Sequence, residues 1–103
     1  MATRVDFSPA AEADLIDIAL YIAQDNPARA ATFTEALQAA CLKLGDGPGI
    51  GRARPELGDG IRMLPSGNYL VFYRVQRVSV RIERILHRAR DIDSLFRGDE
   101  ATK

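Results

Sequence analysis

The apolar residues of this chain change their spacing once. From Ala11 to Leu44 they recur every three or four positions, and from Ile61 to His87 they alternate or run together. The first spacing belongs to helices with one buried face, the second to strands. Between them, residues 45–60 hold most of the glycines together with Pro48 and Pro55. A chain patterned this way can bury its apolar faces only by laying its helices on its sheet.

Arg4–Ser8 alternates and predicts a short first strand. Ser8 then caps a helix with Pro9 at its first position. Ala11, Leu15, Ile18, Ala19 and Ile22 share one helix face, and Glu12, Asp14 and Asp17 fall largely off it, where acids suit the helix dipole. Asp25-Asn26-Pro27 ends this helix and starts a second, whose stripe is Ala30, Phe33, Leu37, Ala40, Cys41 and Leu44. So short a link implies an antiparallel helical hairpin. Gly45 is expected to end the second helix.

Three strands are expected at Ile61–Leu64, Tyr69–Val75 and Val78–His87, joined through Pro65–Asn68 and Gln76-Arg77 as an antiparallel meander. Asp91–Phe96 is expected to add one helical turn. The fold class is therefore α+β in the order β-α-α-β-β-β, with the two-helix hairpin on one face of a twisted antiparallel sheet. The other face is expected to stay partly open and to serve as the functional surface.

The chain has 103 residues, 47% of them hydrophobic, which fits one domain over 1–97 followed by a flexible tail over 98–103. Its formal net charge of +0 hides an asymmetry. Arg4, Arg29 and Lys43 face seven acids in residues 1–50, about −4 in all; residues 51–97 hold ten arginines and no lysine against five acids, about +5. Arginine is suited to bidentate recognition of carboxylates and phosphates, so an acidic partner is expected. Cys41 is the single cysteine, which rules out an internal disulfide and a cysteine metal site. With no apolar signal region after Met1 and no run of membrane-spanning length, the expected location is the cytoplasm, with no membrane partner.

Several residues invite a functional reading. Tyr69–Val75 is apolar on both faces, as in a central strand, although Tyr69, Tyr73 and Val75 could instead line a partner groove. By alternation Arg84 shares a face with Ile82 and Leu86, and an arginine there must reach an acid of this chain or of a partner. His87, the single histidine, has no serine or cysteine motif beside it for nucleophilic catalysis and no second histidine for a metal. Pro48-Gly49-Ile50-Gly51-Arg52 lacks the Gly-Lys-Ser/Thr ending of a phosphate loop. No catalytic residue, metal, cofactor or small-molecule substrate is expected.

The stretches SPAAEADLIDIALYIAQDNPARA (8–30), PGIGRARPEL (48–57), IRMLPSGNYLVFYRV (61–75) and RILHRARD (84–91) cover nearly the whole chain. In combination they resemble the RelE/ParE superfamily of bacterial type II toxins, and more closely its ParE branch. The resemblance implies a two-helix hairpin on a twisted antiparallel sheet, in agreement with the element order above. It also implies one of two activities: the RelE branch cuts messenger RNA on the ribosome, and the ParE branch poisons DNA gyrase. Where the ribonuclease branch places two lysines, an arginine and a terminal tyrosine, this chain has Gly60 and Arg62, Tyr69, and Phe96; its last-strand arginine and acid match Arg90-Asp91. Phe96 lacks a hydroxyl and can act as neither acid nor base.

The resemblance therefore implies a gyrase inhibitor, with a ribosome-dependent messenger RNA endonuclease as the alternative. Arg62, His87, Arg88, Arg90 and Arg97 are the expected contacts with gyrase, in its complex with DNA. A ParD-like antitoxin, joined in a hetero-oligomer, is the second implied partner, with Tyr69, Tyr73, Arg74, Arg84 and Leu86 as its expected contacts. Growth arrest and plasmid stabilisation would follow from such a module.

Overall fold

The computed structural model describes residues 3–101, with side chains through Phe96. The side chain of the expected Arg97 contact and residues 102–103 of the expected tail at 98–103 lie outside the described residues, while the backbone of 98–101 continues a helix.

The first strand, β1 (Arg4–Phe7), leads into helix α1 (Pro9–Ala23). Ser8 caps α1: its Oγ accepts from the Ala11 N–H at 2.9 Å and donates to the Glu83 carbonyl at 2.8 Å. One side chain thus starts the helix and ties it to a strand 75 residues away. Helix α2 (Pro27–Leu42) is capped by Asn26, whose Oδ1 accepts from the Arg29 N–H at 3.1 Å, and it begins with Pro27. A 3₁₀ turn at Lys43–Gly45 extends it. Gly45 lies inside this turn and does not close α2 as expected; glycine is required there because a Cβ would meet the Thr3 carbonyl oxygen at 2.2 Å.

The sheet has five strands in the order β1-β5-β4-β3-β2. The meander β3 (Ile61–Ser66), β4 (Tyr69–Val75) and β5 (Ser79–His87) is antiparallel as expected. Two features go beyond the sequence reading. β1 pairs parallel to β5, and a two-residue β2 (Arg52–Ala53) inside the connector pairs with β3. β2 reaches only Met63, so beyond it β3 is an edge strand, where Pro65 is tolerated. The strand therefore runs to Ser66, and Gly67, at φ 60°, opens the turn.

The helices cover one face. Ile18, Leu37, Cys41 and Leu44 pack there on Val71, Tyr73, Val80, Ile82 and Ile85. A second core lies on the opposite face, where Ile61, Phe72 and Leu86 meet Leu57, Leu70, Ile92, Leu95 and Phe96. The second face, expected to stay partly open, thus carries a core of its own at one end. Helix α3 (Ile92–Ala101) and the 3₁₀ turn at Pro55–Leu57 cover one end of it, because a strand apolar on both sides needs two covers.

A β-bulge corrects a second expectation. Phe72 pairs with Arg84 while the next residue, Tyr73, pairs with Ile82, leaving Glu83 as the extra residue. Alternation breaks at that point. Ile82 faces the helices and Leu86 the opposite core, so Ile82, Arg84 and Leu86 do not share a face. Among the described residues no helix is long and apolar enough to cross a membrane.

Candidate functional site

Helix α1 builds one wall of a cleft. Asp14, Asp17, Ile18 and Tyr21 follow the i, i+3, i+4, i+7 spacing of a single helix face. Tyr69 of β4 and His87 at the end of β5 form the facing wall, and Arg90 completes it from the turn that follows. The cleft encloses about 460 Å³.

Asp14 sits at the base, and the expectation that it lies off the buried face is corrected. Arg84 Nε and Nη2 donate to its two oxygens at 2.8 and 3.0 Å, and the Ile85 N–H donates at 2.9 Å. A carboxylate holding three donors can leave water. Arg84 thus finds its acid inside the chain.

The Tyr69 ring meets the His87 imidazole edge-on at 5.2 Å and Phe33 on its other side at 5.6 Å. Burial raises the Tyr69 phenol above its ordinary value, and the nearby Tyr21 adds to the effect. His87 Nδ1 accepts from the Ala89 N–H at 3.0 Å, which puts the proton of the neutral ring on Nε2. The Arg90 N–H donates to the His87 carbonyl at 3.0 Å and closes the turn. The cleft thus joins an imidazole, a phenol, an exposed guanidinium and the free acid edge of α1.

The other expected contacts lie apart from it. Arg88 Nη2 donates to the Gly67 carbonyl at 2.9 Å and the Arg88 N–H to the Asn68 carbonyl at 2.9 Å, fastening the β3–β4 turn. Arg62 Nη1 donates to the Gly49 and Gly51 carbonyls and pins the connector. Tyr73 is fully buried: its hydroxyl donates to the Pro48 carbonyl and accepts from the Gly51 N–H, both at 2.8 Å. Burial raises its phenol, with the Gly51 bond and the Arg62 charge opposing. Leu86 is a buried member of the second core. Tyr73 and Leu86 therefore offer a partner no surface, contrary to expectation. Arg74 lies near Glu83 on the far face of the sheet.

His87 and Arg90, expected to meet one target, line this same cleft, and Asp17 and Tyr21 join them there without having been expected. Their spacing on α1 was the available signal, but the acids were assigned to solvent. Among the described residues no cluster of His, Cys, Asp or Glu could hold a metal ion.

Comparison with known proteins places this geometry. Residues 5–92 match the family described as the ParE toxin of the type II toxin–antitoxin system, parDE. Toxin ParE1 of Caulobacter vibrioides is 40% identical over 80 residues, 77% of this chain and 82% of that protein. Toxin ParE1 of Mycobacterium tuberculosis is 34% identical over 95 residues, 90% of this chain and 97% of its own length. In solved structures, a chain of the chromosomal ParDE TA system from P. aeruginosa matches with a TM-score of 0.72 at 22% identity, over 84% of this chain and 96% of that one. A chain of the toxin–antitoxin complex RelBE2 from Mycobacterium tuberculosis matches with a TM-score of 0.65 at 25% identity, over 84% and 99%.

Proposed function

Because this chain belongs to the family of ParE toxins of type II toxin–antitoxin systems, we propose that it inhibits DNA gyrase by binding and is neutralised by a ParD-like antitoxin. The observation that carries this reading over RNA cleavage is the setting of Phe96. Its ring packs edge-on against Phe72 at 5.0 Å within the second core. The RNA-cutting branch has a tyrosine at that position. His87, the chain's one imidazole, lies on the α1 side of the sheet, while Phe96 lies on the α3 side. An acid–base pair for RNA cleavage needs its members within hydrogen-bond reach of one ribose and phosphate.

Binding asks for less. His87 and Arg90 line one cleft, Arg88 leaves the same turn towards the Gly67 carbonyl, and with Arg97 they are the proposed contacts with gyrase and its DNA. Arg62 would act there indirectly, by fixing the connector. The antitoxin would assemble with the toxin as a hetero-oligomer in the cytoplasm, and the free toxin would arrest growth and stabilise a plasmid carrying the pair.

The test sets purified toxin against gyrase in a supercoiling reaction and against a ribosome-driven translation reaction. Loss of supercoiling with intact messenger is the expected result. Messenger cut on the ribosome, with supercoiling unaffected, would overturn the reading in favour of the endonuclease.

A further inference from the structure

The second face of the sheet has two ends, and α3 covers only one. The other end carries charge. Arg74 on β4 and Arg81 on β5 are direct cross-strand partners, and Asp6 on β1 stands beside Arg81. Like charges placed opposite each other across two strands are destabilising unless something lies between them. Glu83 does so, with one oxygen 3.4 Å from Arg74 Nε and 3.5 Å from Arg81 Nε. Both distances exceed the roughly 2.7–2.9 Å of a charge-assisted hydrogen bond. Arg74 Nε is buried and makes no hydrogen bond among the described residues.

Arg74, Arg81 and Glu83, with the Asp14-bound Arg84, line a hollow of about 450 Å³ whose remaining wall includes Ile61, Leu95 and Phe96. Two guanidiniums share one distant carboxylate, and one buried donor lacks an acceptor. The hollow is therefore charged to receive an anion. The apolar wall selects the class. A nucleic-acid backbone would bring a solvated phosphate and no apolar group for Leu95 or Phe96. An acidic, amphipathic peptide brings both a carboxylate and an aliphatic neighbour.

We propose that this hollow seats an aspartate or glutamate carboxylate of an acidic, amphipathic peptide segment. The carboxylate bonds Arg74 and Arg81, and an adjacent apolar side chain rests on the half-buried Leu95 and Phe96. The source of the segment is the antitoxin, and in this clause alone the proposal rests on the function proposed above.

The test uses the full-length, ¹⁵N-labelled chain and follows the Arg74 and Arg81 Nε–Hε signals by NMR. The probe is a short capped peptide of mixed leucine and glutamate. Both signals are expected to shift and saturate. Arg74→Gln should weaken binding by about tenfold, the scale of one hydrogen bond to a charged group. Glu83→Gln should strengthen binding, because it removes the competing carboxylate. Equal affinity in all three proteins, or weaker binding by Glu83→Gln, would overturn the proposal. So would displacement of the peptide by a single-stranded oligonucleotide at a lower concentration than the peptide itself. Calorimetry with a ParD-like antitoxin separates the two readings. Antitoxin binding left unchanged by Arg74→Gln overturns this seat and leaves the proposed function standing. No binding to the unaltered toxin overturns that function, while the peptide titration still judges the hollow.

Discussion

Asp14 and Arg84, 70 residues apart in sequence, form a two-pronged ion pair that ties helix α1 to the bulged strand β5. The Ile85 N–H adds a third bond to the same carboxylate. The Asp14 side chain is only 10% exposed and that of Arg84 30%.

Asp14→Ala would remove the acceptor of two guanidinium bonds and leave the Ile85 N–H buried without its own. The partial exposure of Arg84 lowers the cost below that of a fully buried pair, to roughly 2–3 kcal/mol. In a domain of this size that lowers Tm by about 10–20 °C. Asp14→Asn, which keeps an acceptor, should lose less. Urea titration of the three proteins measures both differences, and a loss within the range of a surface ion pair would contradict the assignment.

Gly51 and Tyr73 make a second pair with separable consequences. A Cβ on Gly51 would lie 2.3 Å from the Tyr73 hydroxyl, whereas one on Gly49 would meet nothing within 4 Å. Gly51→Ala should therefore destabilise the protein and Gly49→Ala should not. Tyr73→Phe removes both hydroxyl bonds and leaves the Gly51 N–H buried without an acceptor, at a cost of roughly 1–3 kcal/mol. Amide exchange at Gly51 should speed up in Tyr73→Phe while amides at the centre of β4 stay protected.

Stability should fall on the alkaline side. Burial pushes the Cys41 thiol up to about 12 and raises both Tyr69 and Tyr73. A raised value means that the folded state holds a proton the unfolded chain gives up. The stabilisation is complete below the unfolded thiol's range and is lost as pH climbs from roughly 9 towards 12, by up to about 1.4 kcal/mol per pH unit for each group. Cys41→Ala should flatten the first part of that decline in denaturation curves taken between pH 8 and 11. A thiol reagent at neutral pH should label Cys41 only as fast as the protein opens.

Phe96→Tyr restores the missing hydroxyl without restoring the chemistry. Arg62 remains bound to the connector carbonyls, and His87 remains on the other side of the sheet. Ribosome-dependent cutting of messenger RNA should stay absent in this variant. Its appearance would show that one hydroxyl separates the two activities on this framework.

Local chemistry made the helices and the central strand legible in the sequence. Ser8-Pro9 and Asn26-Pro27 mark helix starts whose caps need only neighbouring residues. Tyr69–Val75 is apolar on both faces but for Arg74, and it matches its strand residue for residue. Long-range effects stayed hidden. The bulge at Glu83 inverts which β5 residues face the helices, and no period-two reading can find where alternation stops. The burial of Asp14 depends on an arginine in the last strand, so α1 alone made it look like a surface acid. Tyr73 looked like a groove residue because nothing nearby in sequence announces that Pro48 and Gly51 enclose its hydroxyl.

The parallel pairing of β1 with β5 has a consequence for timing during synthesis. Arg4 cannot find its neighbour Ser79 until β5 has been translated. At roughly 5–20 residues per second that is a delay of about 4–15 s, during which the N-terminal strand has no sheet to join. Completion of the sheet thus waits for β5, and a binding partner can meet an emerging chain before the finished surface exists.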